Sequence, residues 1–228
     1  MNQFSGVTTV LFDLDGTLLD SAPDLAAAAN LLRTQRGLSS LPVAYYRPFV
    51  GTGARGMLRL ALGVTEVQQG FEDLKEEFFQ AYEVCMGRHS SVFPEIPELL
   101  QALVRRNYSW GIVTNKIARF ADPIVQACPV LSATQSLVCG DSTEYSKPHP
   151  APLLAAARQL GIAPDCCVYV GDDERDIQAA RAAGMGAIAA SYGYLGEAGD
   201  VHHWQPDAVI RFPQELITVL GFDYNRKL

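Results

Sequence analysis

The sequence predicts an α/β protein whose doubly wound, Rossmann-like parallel sheet is interrupted after its first strand by an all-helical insert. From about residue 93 onward, short apolar runs alternate with segments of helical periodicity, the β-α-β rhythm of an open parallel sheet. One more such run stands at the head of the chain, and it is followed by a stretch with helical signals and no convincing strand.

In chain order, residues 7–12 (VTTVLF) form a β-branched, nearly continuous apolar run, as expected of a strand buried on both faces. Residues 20–88 read as helical. Ser21-Ala-Pro-Asp24 matches a capping box, and Phe71, Leu74, Phe78, Tyr82 and Cys85 fall on one helical face opposite Glu72, Asp73, Glu76 and Glu83. Strands are then expected at 110–114 (WGIVT), 136–139 (SLVC), 167–170 (CVYV), 186–190 (GAIAA) and 208–210 (AVI). Helices are expected at 97–106, 118–127, 151–160, 174–183 and 213–220. The implied division is a catalytic core of residues 1–19 and 89–228 and a cap of residues 20–88, with hinges at 16–20 and 87–92. Ligands of such sheets bind at the carboxyl ends of the strands, so chemistry is sought there.

Composition narrows the function class. The 228 residues are 48% hydrophobic and 19% charged, enough for a sizeable core. The net charge of −7 argues against a non-specific nucleic-acid binder, which needs a basic footprint. No stretch approaches a membrane span, and Met1-Asn2-Gln3-Phe4-Ser5-Gly6 shows no leader pattern, so a cytoplasmic protein is expected. Five cysteines (85, 128, 139, 166 and 167) form no C-x-x-C pair and read as reduced, mostly buried thiols.

Asp13-Leu14-Asp15-Gly16-Thr17 follows the first strand directly. Two carboxylates two residues apart on an extended backbone point the same way, and Gly16 lets the chain turn off sharply. Thr114-Asn115-Lys116 follows another strand, offering a hydroxyl and N–H groups to a phosphoryl oxygen. Lys147 lies in Ser146-Lys147-Pro148-His149-Pro150, a compact charge on a restrained backbone. Gly171-Asp172-Asp173-Glu174-Arg175-Asp176 follows a third strand and opens a helix, where one Asp can cap and another can reach a metal. Each has an ordinary structural explanation alone; their joint occurrence at strand ends does not.

In this order the four motifs resemble the haloacid dehalogenase superfamily, in its phosphoglycolate-phosphatase-like branch with a helical cap. The resemblance implies a phosphomonoesterase: Asp13 is the nucleophile that forms an aspartyl-phosphate, and Asp15 is the general acid and then the base. It implies Mg²⁺ held by Asp13, the backbone carbonyl of Asp15, and Asp172, with Asp173 and Asp176 in supporting positions. Thr114, Asn115 and Lys147 would hold the phosphate of a small anionic ester. In the cap, Val50-Gly51-Thr52-Gly53-Ala54-Arg55-Gly56 is the expected substrate-reading loop, with Gly53 and Arg55 as specificity residues. Residues 16–59 hold five arginines against two aspartates, which suggests a locally basic lid.

The finer resemblance is divided. WGIVTNKIARFADPI, SYGYLG and His203-Trp204 look like the N-acetylmuramic acid 6-phosphate phosphatases of cell-wall recycling. A phosphomutase would use the same Asp13 and Asp15. A haloacid dehalogenase proper has no use for Asp15, and phosphonatase chemistry wants a Schiff-base lysine from the cap, where Lys75 sits among glutamates. A non-catalytic interaction protein is disfavoured because every chemical position is intact. Zinc at His149, His202 and His203 lacks a third ligand at suitable spacing. Tyr192, Tyr194 and Trp204 read as packing aromatics.

Overall fold

The computed structural model describes residues 3–197 and 199–222; Met1 and Asn2 of the opening segment lie outside the described residues. Six strands, β1 (Thr9–Phe12), β4 (Ser109–Val113), β5 (Leu137–Val138), β6 (Cys167–Gly171), β7 (Gly186–Ala190) and β8 (Ala208–Ile210), form one sheet in the order β5-β4-β1-β6-β7-β8. Every pairing in it is parallel, with Thr9 opposite both Ser109 and Cys167, Ile112 opposite Leu137, Val168 opposite Gly186, and Ile188 opposite Ala208. The chain works outward from β1 to β4 and β5, then crosses back to β6, β7 and β8. That reversal opens a crevice beyond the carboxyl end of β1, the usual ligand site of such sheets.

Period-two alternation along the strands builds two cores. Val10, Phe12, Ile112, Val168, Val170 and Ile188 face one way, against α5 (Ile96–Arg105), α6 (Ala118–Ala127) and α9 (Glu215–Val219). Leu11, Val113, Val138, Tyr169, Ala187 and Ala189 face the other, against α7 (Ala151–Leu160) and α8 (Glu174–Ala182). Both faces are covered, so the strands carry almost no polar residues.

Between β1 and the rest of the sheet lie α1 (Ala22–Gln35), α2 (Val43–Tyr46), a 3₁₀ turn at Arg47–Thr52, α3 (Gly53–Leu62) and α4 (Phe71–Cys85). The periodicity read from Phe71 to Cys85 is the α4 helix, whose Phe71, Phe78 and Tyr82 are buried. The insert has its own apolar cluster, which Phe120 and Tyr194 of the sheet unit also enter. Among the described residues, no helix is long and apolar enough to cross a membrane.

Sequence and structure differ in three places. The two crossing segments form a small antiparallel ribbon, β2 (Leu19–Asp20) and β3 (Ser91–Val92), too short to leave a periodic signal. The capping box is not formed: Ser21 has helical backbone angles (φ −94°, ψ −5°) and its hydroxyl donates to Asp15 Oδ1 instead. Asp24 turns away from its own helix end and accepts from the backbone N–H groups of Gly87, His89 and Ser90 at 2.7, 2.8 and 3.2 Å, and from the Ser90 hydroxyl. The five thiols are unpaired as expected, but only Cys139 and Cys167 are buried; the other three are half-buried.

Asp24 thereby ties the returning segment to the start of α1. Replacement by Ala orphans three main-chain donors at once, and hydrogen bonds to charged groups contribute about 1.5–3 kcal/mol each before water replaces part of them. Asp24→Ala should lower the free energy of urea unfolding by about 2–4 kcal/mol, whereas Asp73→Ala, on the exposed face of α4, should change it little.

Candidate active site

The strand ends bring four separate segments to one place. Asp13 continues β1, its N–H bonded to the Val170 carbonyl at 2.9 Å. Thr114 follows β4, with its N–H on Val138 and its Oγ1 accepting from the Lys116 N–H at 3.1 Å. Lys147 comes from the loop between β5 and α7, and Asp172 follows β6. Together they line a cavity of about 420 Å³ between sheet and insert.

Lys147 is the hub. Its ammonium, 3% exposed, donates to Asp13 Oδ1 at 2.8 Å and to Asp176 Oδ1 at 2.8 Å. It also reaches the Val113 carbonyl at 3.1 Å and the Tyr169 hydroxyl at 2.6 Å, and that hydroxyl donates onward to Val113 at 2.7 Å. Burial alone would lower the Lys147 ammonium, but Asp13 and Asp176 overcome it and hold it above its ordinary value. Asn115 clamps this lysine: its amide donates to the Lys147 carbonyl at 3.0 Å and accepts from the Lys147 N–H at 2.9 Å. The side chain expected to touch phosphate is thus committed to holding Lys147.

Among the described residues, no cation pairs with Asp172. It is 3% exposed and accepts from the Thr17 hydroxyl at 3.0 Å and the Tyr194 N–H at 2.7 Å. Its position depends on two glycines. A Cβ on Gly16, whose φ is +87°, would stand 2.1 Å from Asp172 Oδ2, and one on Gly193 would stand 2.2 Å from its Cβ. Burial, reinforced by Asp13 and Asp176, raises the Asp172 carboxyl well above the usual range. Burial likewise pushes Asp176 up to about 7, against the pull of Lys147. One carboxylate oxygen each from Asp13, Asp172 and Asp176 lies within 4.8 Å of the others. Among the described residues this is the one grouping of at least three such side chains compact enough for a metal ion; no histidine belongs to it.

Asp173 has a different job. It caps α8, accepting from the Arg175 N–H at 2.9 Å, while Asp176 accepts from the Asp173 N–H at 3.1 Å to complete a capping box. The Arg175 guanidinium also donates to Asp173 and crosses to the Gly51 carbonyl of the insert. Burial works to raise the Asp173 carboxyl, and the bonds from Arg175 prevail and hold it below its ordinary value.

Asp15 points into the same cavity, but both its oxygens meet Lys116, at 3.0 and 2.9 Å. Gly53 (φ +62°) and Arg55 line the outer wall. Arg55 is 64% exposed and reaches Glu66 at 3.3 Å. The expected basic lid is electrically spent: Arg36 pairs with Glu77, Arg47 with Asp20 and Arg59 with Glu197, while Arg33 caps main-chain carbonyls. The buried positive charge along the cavity is that of Lys116 and Lys147. Lys116, Tyr169 and Arg175 carried no assignment in the sequence reading. Tyr194, expected only to pack, donates to Asp20 Oδ1 at 2.9 Å and accepts from the Ala22 N–H at 3.0 Å, joining the Asp172 loop to the start of the insert.

A carboxyl group raised in the folded state keeps a proton that the unfolded chain releases. Its stabilising effect is complete below about pH 4, the unfolded value, and is lost as pH climbs toward the folded value. Without divalent cations the Asp172 and Asp176 carboxyls should therefore make the melting temperature fall as pH rises through neutrality, above the acidic range in which the lowered carboxyls of Asp173, Glu77 and Glu215 titrate. Asp172→Asn should flatten that fall and melt about 2–4 °C higher at neutral pH, the shift that roughly 1 kcal/mol produces in a chain of this size. A thermal series by circular dichroism in EDTA checks it.

Comparison with known proteins agrees with this geometry. A family model described as haloacid dehalogenase-like hydrolase matches residues 10–190. An N-acetylmuramic acid 6-phosphate phosphatase of Pseudomonas aeruginosa is 42% identical over 211 residues, covering 92% of this chain and 93% of that protein. A phosphoglycolate phosphatase of Xanthomonas campestris pv. campestris is 44% identical over 207 residues, covering 91% and 93%. A solved structure of a predicted phosphoglycolate phosphatase from Haemophilus somnus superposes with a TM-score of 0.83 at 27% identity, over 94% of this chain and 98% of that one. The β1-to-β7 span that carries Asp13, Lys147 and Asp172 is the span the family model matches, and the chain belongs to the haloacid dehalogenase-like hydrolases.

Proposed function

We propose that the protein is a Mg²⁺-dependent phosphomonoesterase acting on a small phosphorylated acid, with phosphoglycolate as the leading substrate. The observation that carries this reading is the meeting of Asp13, Lys147, Asp172 and Asp176 at the strand ends beside a cavity between sheet and insert. Residues 1–19 and 89–228 act as the catalytic core and 20–88 as the cap.

Asp13 attacks phosphorus in line. The P–O bond to the alcohol breaks as the aspartyl-phosphate bond forms, splitting a very slow hydrolysis into two easier steps. Asp15 delivers a proton to the departing oxygen and then takes one from the water that cleaves the acyl phosphate. Lys147, already on Asp13, supplies fixed positive charge to the equatorial oxygens, and the Thr114 hydroxyl and nearby N–H groups hold another. Asp176 and Asn115 position Lys147.

The donor set suits a hard divalent cation. Three oxygen ligands face one another with a single lysine between two of them, and buried Asp172 meets only dipoles. Asp13, Asp172 and the backbone carbonyl of Asp15 would hold Mg²⁺, with Asp176 the nearest further carboxylate. When bound, it neutralises charge between nucleophile and phosphate and draws the buried carboxyls into their ionised form.

The cavity, about 420 Å³, also supports a second reading. It has room for more than a two-carbon acid, and N-acetylmuramic acid 6-phosphate, the named substrate of one relative, is a larger ester of the same kind.

Asp13→Asn should abolish Mg²⁺-dependent turnover of p-nitrophenyl phosphate and of the best natural ester while the far-ultraviolet circular dichroism is unchanged. Asp15→Asn should lower kcat on alkyl esters by about 10²–10⁴-fold. Near-wild-type turnover by Asp13→Asn would overturn the mechanism. Steady-state rates on phosphoglycolate and N-acetylmuramic acid 6-phosphate, at fixed Mg²⁺, separate the two substrate readings.

A further inference from the structure

The mechanism uses Asp15, but leaves two buried groups beside it without a task. Lys116 is 7% exposed on its side chain and lines the cavity. Its ammonium lies 5.0 Å from the ring centre of Tyr82, on α4 of the insert. Tyr82 is 1% exposed and also lines the cavity; its hydroxyl faces the Lys116 ammonium and, among the described residues, has no acceptor for its own proton. A buried hydroxyl without an acceptor is costly, so one beside an ammonium at a cavity wall marks the place of a missing acceptor.

The chemistry of that acceptor follows from its surroundings. Lys116 offers three donors on a positive charge and Tyr82 offers one more, while Phe78, Phe79, Ile117 and Phe120 wall the space with apolar surface. A planar anion with two oxygens and a small carbon frame suits this better than a hydroxyl, which would leave the cation unpaired. Asp15 already demonstrates the fit: its carboxylate presents both oxygens to Lys116 at 3.0 and 2.9 Å.

We infer that Lys116 and Tyr82 form a carboxylate subsite for the substrate, one half from the sheet unit and one half from the insert, in which the Asp15 carboxylate is the place-holder. The arriving carboxylate takes Asp15's position against Lys116 and satisfies the Tyr82 hydroxyl. Asp15, released from Lys116 and still oriented by the Ser21 hydroxyl, then turns toward the ester oxygen. An ester without the acid leaves Asp15 engaged, so the subsite selects for phosphorylated acids through catalysis as well as binding. The inference rests on the phosphatase reading; the carboxylate lies far nearer the phosphate in phosphoglycolate than in N-acetylmuramic acid 6-phosphate, so the subsite fits one of the two, and matched pairs of esters tell which.

The test uses two matched pairs: phosphoglycolate against 2-hydroxyethyl phosphate, and N-acetylmuramic acid 6-phosphate against N-acetylglucosamine 6-phosphate. In the wild-type protein the acid member of at least one pair should exceed its neutral partner in kcat/KM by about 10²-fold or more, as for sites built to pair a polar group. Lys116→Met should collapse that ratio to below about 10-fold, and Tyr82→Phe, which removes one oxygen and keeps the packing, should cut it by roughly 5–20-fold. Calorimetric binding of the acid ester to Asp13→Asn, with and without Lys116→Met, gives the same comparison without turnover. Equal loss on acid and neutral esters, or a wild-type protein that does not discriminate, would overturn the subsite and leave the phosphatase reading standing. Absence of any turnover, p-nitrophenyl phosphate included, would bring down the phosphatase reading and the subsite with it.

Discussion

The organisation of this molecule turns on one electrostatic constraint: Asp13, Asp172 and Asp176 are held together in a largely buried crevice with a single ammonium, that of Lys147, among them. Burial, with like charges beside it, raises the affinity of Asp172 and Asp176 for protons. The fold bears this by surrounding each carboxylate with fixed donors. Thr17 and the Tyr194 N–H serve Asp172, the start of α8 serves Asp176, and Lys147 spans Asp13 and Asp176. Glycine at positions 16 and 193 is what allows Asp172 its place. A site destabilised in this way has a built-in attraction for a small divalent cation and for the phosphate that would accompany it.

The helical insert is bound to that centre rather than merely set above it. Arg175, anchored on the Asp173 cap, reaches the Gly51 carbonyl, and Tyr194 links the Asp172 loop to Asp20, whose carboxylate holds Arg47 at 3.0 and 2.7 Å. Farther out, Arg119 of the sheet unit pairs with Glu76 and Glu83 of α4, and Phe120 packs edge-on against Phe79 and Tyr82 at 5.1 Å between ring centres. The exposed pairs add little individually. The aromatic contact and the buried tyrosines carry the register that sets Tyr82 beside Lys116.

Most of the architecture was legible before any coordinates. The apolar runs and the motifs after them fall where the strands and strand ends lie, because a parallel sheet covered on both faces leaves no room for polar residues until the chain emerges. Asp13, Thr114, Lys147 and Asp172 share the same cavity for that reason. Less legible were the side chains whose partners are distant in sequence. Ser21 and Asp24 have the spacing of a capping box, yet the structure gives Ser21 to Asp15 and Asp24 to the segment from Gly87 to Ser90. Five arginines in the first part of the insert suggested a basic lid, and their charge is taken up by Glu77, Asp20, Glu66, Glu197 and main-chain carbonyls.

By itself, then, the sequence determined the fold class, the family and the set of groups gathered at the strand ends, since these follow from periodicity and from residues adjacent to the strands. Tertiary structure alone decided what each group is bonded to. Asn115 serves Lys147, Asp173 serves Arg175, Asp15 meets Lys116, and the Tyr82 hydroxyl is left, among the described residues, without an acceptor. The contact between Asp15 and Lys116 depends on which strand ends the sheet order sets side by side, and that between Arg175 and Gly51 on how sheet and insert meet; no local pattern encodes either.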